Sequence, residues 1–183
     1  MVESAPVLVI GGTGMLAAAV RNLAGRGLPV FVVARQPGQP ADGLPVVFVR
    51  GDWARPDDLA ADLERARVEA GHGPFGSAIQ WIHSPYRDRV QRAVADQLTP
   101  DATVVVLHGS AAADPHTTHP LGAPNWHAPP RSHRDLVLGF ADTPDGRTRW
   151  LSDAEIAGAA LRALDDPAPK QVAGRVEPWG DRP

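Results

Sequence analysis

The sequence predicts an α/β domain built on a doubly wound parallel sheet. Short continuous apolar runs rich in valine recur along the chain, as strands buried on both faces require. Segments with apolar residues at helical spacing alternate with them. The first run ends in glycines and passes straight into such a segment. At 183 residues, 43% hydrophobic and 21% charged, the chain fits a single globular domain, residues 1–183.

Taken in order, residues 7–10, Val-Leu-Val-Ile, are the first strand. Residues 15–26 follow as a helix with Leu16, Val20, Leu23 and Ala24 on one stripe and Gly27 closing it. Residues 30–33 and 46–49 repeat the buried-strand pattern. The stretch between them, 36–45, holds three prolines and two glycines, which predicts a short turn in place of a helix. A helix is expected over 57–70, from Leu59, Leu63, Ala66 and Ala70, then a strand over 77–82, a helix over 88–98 and a strand over 103–107. Residues 111–130 have no period and are rich in proline and histidine, which predicts an irregular loop or lid. Residues 135–140 resume as a strand. Ser152 with Glu155 forms a capping-box pattern that opens a helix through Leu164, and 171–176 is a last strand.

Composition narrows the partners. A net charge of -3, with Lys170 the only lysine, provides no basic field for nucleic acid. Zero cysteines remove thiolate catalysis and cysteine-bound metal, so any redox chemistry must come from a bound cofactor. Residues 1–6 lack a basic n-region and no apolar stretch is long enough to span a bilayer, so a cytoplasmic protein without membrane contact is expected.

The sharpest chemical signal is Gly11-Gly12-Thr13-Gly14-Met15-Leu16-Ala17, between the first strand and the first helix. Gly12-x-Gly14-x-x-Ala17 matches the dinucleotide fingerprint of the Rossmann fold, with an alanine in its last position. The small residues permit a tight turn and close approach of a pyrophosphate. The helix start, with Met15 and Leu16, offers N–H groups to the phosphates. At the end of the second strand stands Arg35, where an acidic residue would hydrogen-bond a ribose 2′-OH. A guanidinium pairs instead with a 2′-phosphate, so NADP(H) is expected ahead of NAD(H). Asp52, after the third strand, either accepts from the adenine amino group or caps the turn before Arg55.

These residues resemble the short-chain dehydrogenase/reductase superfamily, in its atypical form with a Gly11-x-x-Gly14-x-x-Ala17 loop. The latter half, in Leu138-Gly139-Phe140, Arg149-Trp150-Leu151-Ser152 and Val176-Glu177-Pro178-Trp179, is similar to short bacterial proteins known only as short-chain-dehydrogenase-like. The resemblance implies the fold and a nicotinamide cofactor. It does not bring the superfamily's acid/base pair, a tyrosine with a lysine four residues on. Tyr86, the one tyrosine, has Val90 in that place, and Lys170 is far along the chain.

Replacement groups are expected at the C-terminal ends of the strands, where ligands bind in open α/β sheets. His83-Ser84 follows one strand and His108-Gly109-Ser110 another. Ser110 stands where the superfamily's serine falls and is the candidate for binding a substrate carbonyl or hydroxyl. His83 and His108 are the candidate proton donors, each equally well read as a hydrogen-bonded histidine at a strand end, and Ser84 borders the cofactor. Trp126 and His127 are expected to close over a substrate. His116-x-x-His119 has no fixed carboxylate partner, so no metal site is expected. The leading function is an NADP(H)-dependent oxidoreductase acting on a small carbonyl, imine or activated alkene. A non-catalytic NADP(H)-binding sensor and a non-redox lyase or isomerase fit the same residues. With little chain left for a substrate domain, the loop after the 103–107 strand, the C-terminal segment or a second subunit of a homo-oligomer must complete the pocket.

Overall fold

The computed structural model describes residues 4–36, 38, 43–114 and 132–183. Its elements run β1 (Val7–Ile10), α1 (Ala17–Gly25), β2 (Val30–Ala34), β3 (Val46–Arg50), α2 (Pro56–Glu69), β4 (Phe75–Gln80), α3 (Ser84–Val94), β5 (Leu98–His108), β6 (Ser132–Leu138), β7 (Phe140–Asp142), β8 (Thr148–Trp150), α4 (Asp153–Asp165) and β9 (Lys170–Ala173). Seven strands form one sheet in the order β3-β2-β1-β4-β5-β6-β9. Every pairing in it is parallel, which establishes the predicted Rossmann-like α/β domain.

Both faces of the sheet are covered, which is why its strands read as unbroken apolar runs. On one face Val7, Val9, Val30 and Val32 pack with Val20 and Leu23 of α1 and Ile156 and Ala160 of α4. On the other, Leu8, Ile10, Phe31 and Val33 pack with Leu59 and Leu63 of α2 and Val90 and Val94 of α3. Each fully buried aliphatic side chain of this kind contributes about 1.5–3 kcal/mol. The order reverses beside β1, whose neighbours are β2 on one side and β4 on the other, and this opens a crevice at the carboxyl ends of β1, β2 and β4.

Several boundaries differ from expectation for identifiable reasons. α3 begins at Ser84, not at 88, because Pro85 sits in its first turn, where a missing N–H costs nothing. β4 ends at Gln80, so Trp81 and Ile82 belong to the turn entering α3. The run 135–140 splits: β6 stops at Leu138, and β7 pairs antiparallel with β8 in a hairpin. Gly139 marks the break, since a side chain there would collide with the Arg175 carbonyl. The capping box forms as expected, Glu155 N–H donating to Ser152 Oγ and Ser152 N–H to Glu155 Oε2. No helix occurs among the described residues between β2 and β3, and those between β5 and β6 form only a 3-10 turn, Ser110–Ala113. Trp126, His127, His116 and His119 lie outside the described residues, as does all of the expected lid from 115 onward.

Candidate functional site

The glycine loop is shaped by its neighbours at two positions and left open at a third. Gly11 has φ +83°, and a β-carbon on it would come 2.7 Å from the Trp81 carbonyl oxygen. A β-carbon on Gly12 would stand 2.8 Å from Cγ1 of Val32 and 3.0 Å from Cγ1 of Val9. Only glycine fits either place. Gly14, by contrast, would meet nothing within 4 Å. No protein contact demands a glycine there.

α1 starts just beyond, at Ala17, with no side-chain cap and no acidic residue in its first turn. The Ala17 N–H donates to the Gly14 carbonyl, and the positive dipole end of the helix favours an anion beside it. Thr13 and Gly14 are exposed, whereas the Leu16 side chain is fully buried and Met15 packs against the core.

Two clefts meet at Arg35. The first, about 490 Å³, is bordered by Gly11, Thr13, Arg35, Trp53, Trp81 and His83. The second, about 540 Å³, runs past Arg35, Arg50, Asp52 and Arg55 at the start of α2. Arg35, exposed just past the end of β2, is the only residue common to these two linings. Asp52 turns one oxygen back on its own loop, accepting from the Ala54 N–H at 3.0 Å, which is the capping role open to it from sequence. It still borders the second cleft.

The two histidines that end strands have different surroundings. His83 is exposed, immediately precedes α3, and sits between two indoles, its ring 5.4 Å from that of Trp53 and 5.8 Å from that of Trp81. It faces the first cleft together with the glycine loop. His108 is buried at 7% exposure and engaged at both nitrogens. Nε2 is 2.6 Å from Oδ1 of Asp135, and Nδ1 is 3.1 Å from Nη1 of Arg87. Asp135 also takes His133 Nε2 at 3.1 Å. Burial of that carboxyl acts to raise its pKa, but the hydrogen bonds from His108 and His133 outweigh it and hold Asp135 well below the usual carboxylate range. Burial likewise pulls the Arg87 guanidinium below its ordinary value, against the opposing charges of Asp88 and Asp135. Ser84 is the exposed first residue of α3, and Ser110 opens the 3-10 turn after β5.

Trp53, Trp81, Arg87 and Asp135 were not singled out by sequence. The indoles are isolated in the chain and carry no period. A signal for Asp135 did exist, a carboxylate flush against the apolar run Leu136-Val137-Leu138. Tyr86 lies in α3 and Lys170 opens the edge strand β9, so the two are not brought together. Among the described residues, no helix is long and apolar enough to cross a membrane.

No protein-family model matches the sequence, and a search of curated proteins likewise finds no match. Solved structures do match. A Thermus thermophilus protein, 18% identical, aligns over 92% of this chain and 96% of its own with a TM-score of 0.67. A short-chain dehydrogenase/reductase from Serratia marcescens, 16% identical, aligns over 92% of this chain and 94% of its own at 0.62. A Brucella ovis oxidoreductase of the short-chain dehydrogenase/reductase family, in complex with a partially ordered NAD, is 11% identical and aligns over 94% and 100% at 0.64. The chain has the fold of the short-chain dehydrogenase/reductase structures.

Proposed function

We propose that the protein is an NADP(H)-dependent oxidoreductase acting on a small carbonyl, imine or activated alkene. The observation that carries this reading is the placement of Arg35, which borders the glycine-loop cleft and the adjoining cleft at once. A dinucleotide with its pyrophosphate on the loop extends its adenosine ribose toward that arginine, and a guanidinium there favours a 2′-phosphate. The open space at Gly14 and the uncapped start of α1 fit the same ligand.

When bound, the nicotinamide supplies or accepts hydride; the rest of the chemistry belongs to the chain. Gly11, Gly12, Thr13 and Gly14, with the N–H groups of Met15 and Leu16, hold the phosphates. Trp53 and Trp81 wall the cleft against water, and Ser84 and Asp52 border the ligand. His83, exposed to the cleft, delivers the proton that balances hydride transfer. Ser110 orients the substrate oxygen. His108, with both nitrogens engaged, is not free to donate directly.

A second reading, a non-catalytic NADP(H)-binding sensor, is favoured by the separation of Tyr86 from Lys170. One experiment separates the two. NADPH affinity is measured by fluorescence titration, and NADPH consumption is then followed against aldehydes, ketones, imines and enones. Binding with turnover supports the oxidoreductase, and tight binding without turnover on any of them supports the sensor. Failure to bind NADPH overturns both.

A further inference from the structure

A chain of polar contacts runs beneath α3 from β6 to the turn that carries His83. Asp135 lies in β6, 3% exposed, in register with Val106 of β5. Its Oδ1 meets Nε2 of His108, the last residue of β5, at 2.6 Å. Nδ1 of His108 meets Nη1 of Arg87 at 3.1 Å, and Nη2 of the same guanidinium donates to the Ile82 carbonyl at 3.1 Å. Ile82 is fully buried and directly precedes His83. The backbone N–H of Arg87 also donates to the His83 carbonyl at 3.1 Å. Arg87 therefore grips the His83 turn from both sides.

The donors and acceptors along this chain fix the state of His108. Arginine has only donors, so Nδ1 of His108 must accept from Arg87. Nε2 must then carry the proton, and it donates to the ionised Asp135. A second proton, on Nδ1, would set N–H against N–H and cation against cation. The charged groups that meet the ring are Arg87 from α3 and Asp135 from β6, with Asp88 acting on Arg87 and His133 bonded to Asp135.

We propose that Asp135, His108 and Arg87 are positioning residues for His83. Asp135 locks His108 as the neutral Nε2–H tautomer, and that tautomer holds Arg87 on the Ile82 carbonyl, fixing the turn that presents His83 to the cleft. The proposal rests on the cleft being the nucleotide site, but its first test does not. In a 15N-labelled sample of the full chain at neutral pH, long-range proton–nitrogen correlation spectra show the tautomer of each histidine. His108 is expected to give the Nε2–H pattern. An Nδ1–H or doubly protonated pattern overturns the proposal.

The second test uses Arg87→Met, which leaves the Asp135–His108 pair intact, together with His108→Gln and His108→Leu. Glutamine can donate to Asp135 through its amide nitrogen and accept from Arg87 through its oxygen, without titrating. Arg87→Met and His108→Leu are expected to move the His83 ring resonances and weaken NADPH binding by about tenfold, as loss of outer hydrogen-bonding partners does elsewhere. His108→Gln should keep both within about twofold of wild type, since it preserves the donor–acceptor pattern. If Arg87→Met lowers only the melting temperature, leaving the His83 resonances unmoved, or if glutamine behaves as leucine does, the network is merely structural and the proposal falls. Should wild type not bind NADPH, the functional reading fails by itself, while the tautomer and the His83 resonances still decide this one.

Discussion

The carbonyl oxygen of Trp81 lies 2.7 Å from the point where a β-carbon on Gly11 would stand, and Gly11 itself has φ +83°. The glycine loop is thus packed against the β4–α3 turn, onto both the carbonyl and the side chain of Trp81. Gly11→Ala combines left-handed backbone strain with a collision and is expected to cost roughly 2–4 kcal/mol of stability. Gly14→Ala meets no protein atom and should leave the urea midpoint nearly unchanged. Since the glycine at this place in the dinucleotide fingerprint lets backbone approach the pyrophosphate, the variant should weaken NADPH binding by about tenfold or more. Urea denaturation and NADPH fluorescence titration on the two variants read both effects. A Gly14→Ala variant that binds as wild type does would remove the loop from the site.

Cofactor choice is expected to reside in Arg35. Arg35→Gln removes a charged donor worth about 1.5–3 kcal/mol to a 2′-phosphate, which corresponds to roughly a 10- to 100-fold loss of NADPH affinity. NADH has no 2′-phosphate, so its affinity should change little. Parallel titrations check this, and an equal loss for both cofactors would place Arg35 elsewhere in recognition.

What was legible in the sequence followed from regularity. Strands covered on both faces need unbroken apolar runs, so β1, β2 and the all-parallel sheet were foreseen, and the loop after β1 carried its own fingerprint. α3 begins four residues before the expected 88, since Pro85 stands in its first turn, where a proline is tolerated. The β7–β8 hairpin was missed because strands of three residues are too short to show alternation. Site residues that act in isolation were the hardest to see. Trp53, from the loop after β3, meets His83, from the loop after β4, only through the fold, whereas Trp81 is two residues from His83, and Arg87, His108 and Asp135 come from three separate elements.

The Asp135 carboxylate should make stability depend on pH in a definite direction. Its pKa in the folded chain is held well below the usual range by His108 and His133 despite burial, whereas in the unfolded chain it is near 3.9. A group depressed in this way stabilises the fold fully above its unfolded pKa and loses that contribution as pH falls toward the folded value. Asp135→Asn is therefore expected to cost about 2 kcal/mol at pH 7, from a buried charge-assisted hydrogen bond. The cost should be the same near pH 5, well above the unfolded value, and shrink below about pH 4. Urea unfolding of both proteins at these pH values measures it, and a difference that widens on acidification contradicts the assignment.

Tyr86 and Lys170 are expected to be dispensable for turnover. In the superfamily that the fold matches, a tyrosine with a lysine four residues on acts as the acid/base pair. Here Tyr86 lies in the first turn of α3, 38% exposed and edging Trp53, and the residue four positions on is the fully buried Val90. Lys170 is exposed on β9, at the opposite edge of the sheet from β3. No proton can pass between them directly. Tyr86→Phe and Lys170→Ala should therefore keep kcat within about threefold of wild type, whereas His83→Asn, which removes the proposed proton donor, should lower kcat by about 100-fold or more. The pH profile supplies the sharper check. If proton delivery runs through His83, the falling limb of the kcat–pH profile disappears in His83→Asn and survives in Tyr86→Phe. Loss of that limb in Tyr86→Phe instead would return the acid role to the tyrosine.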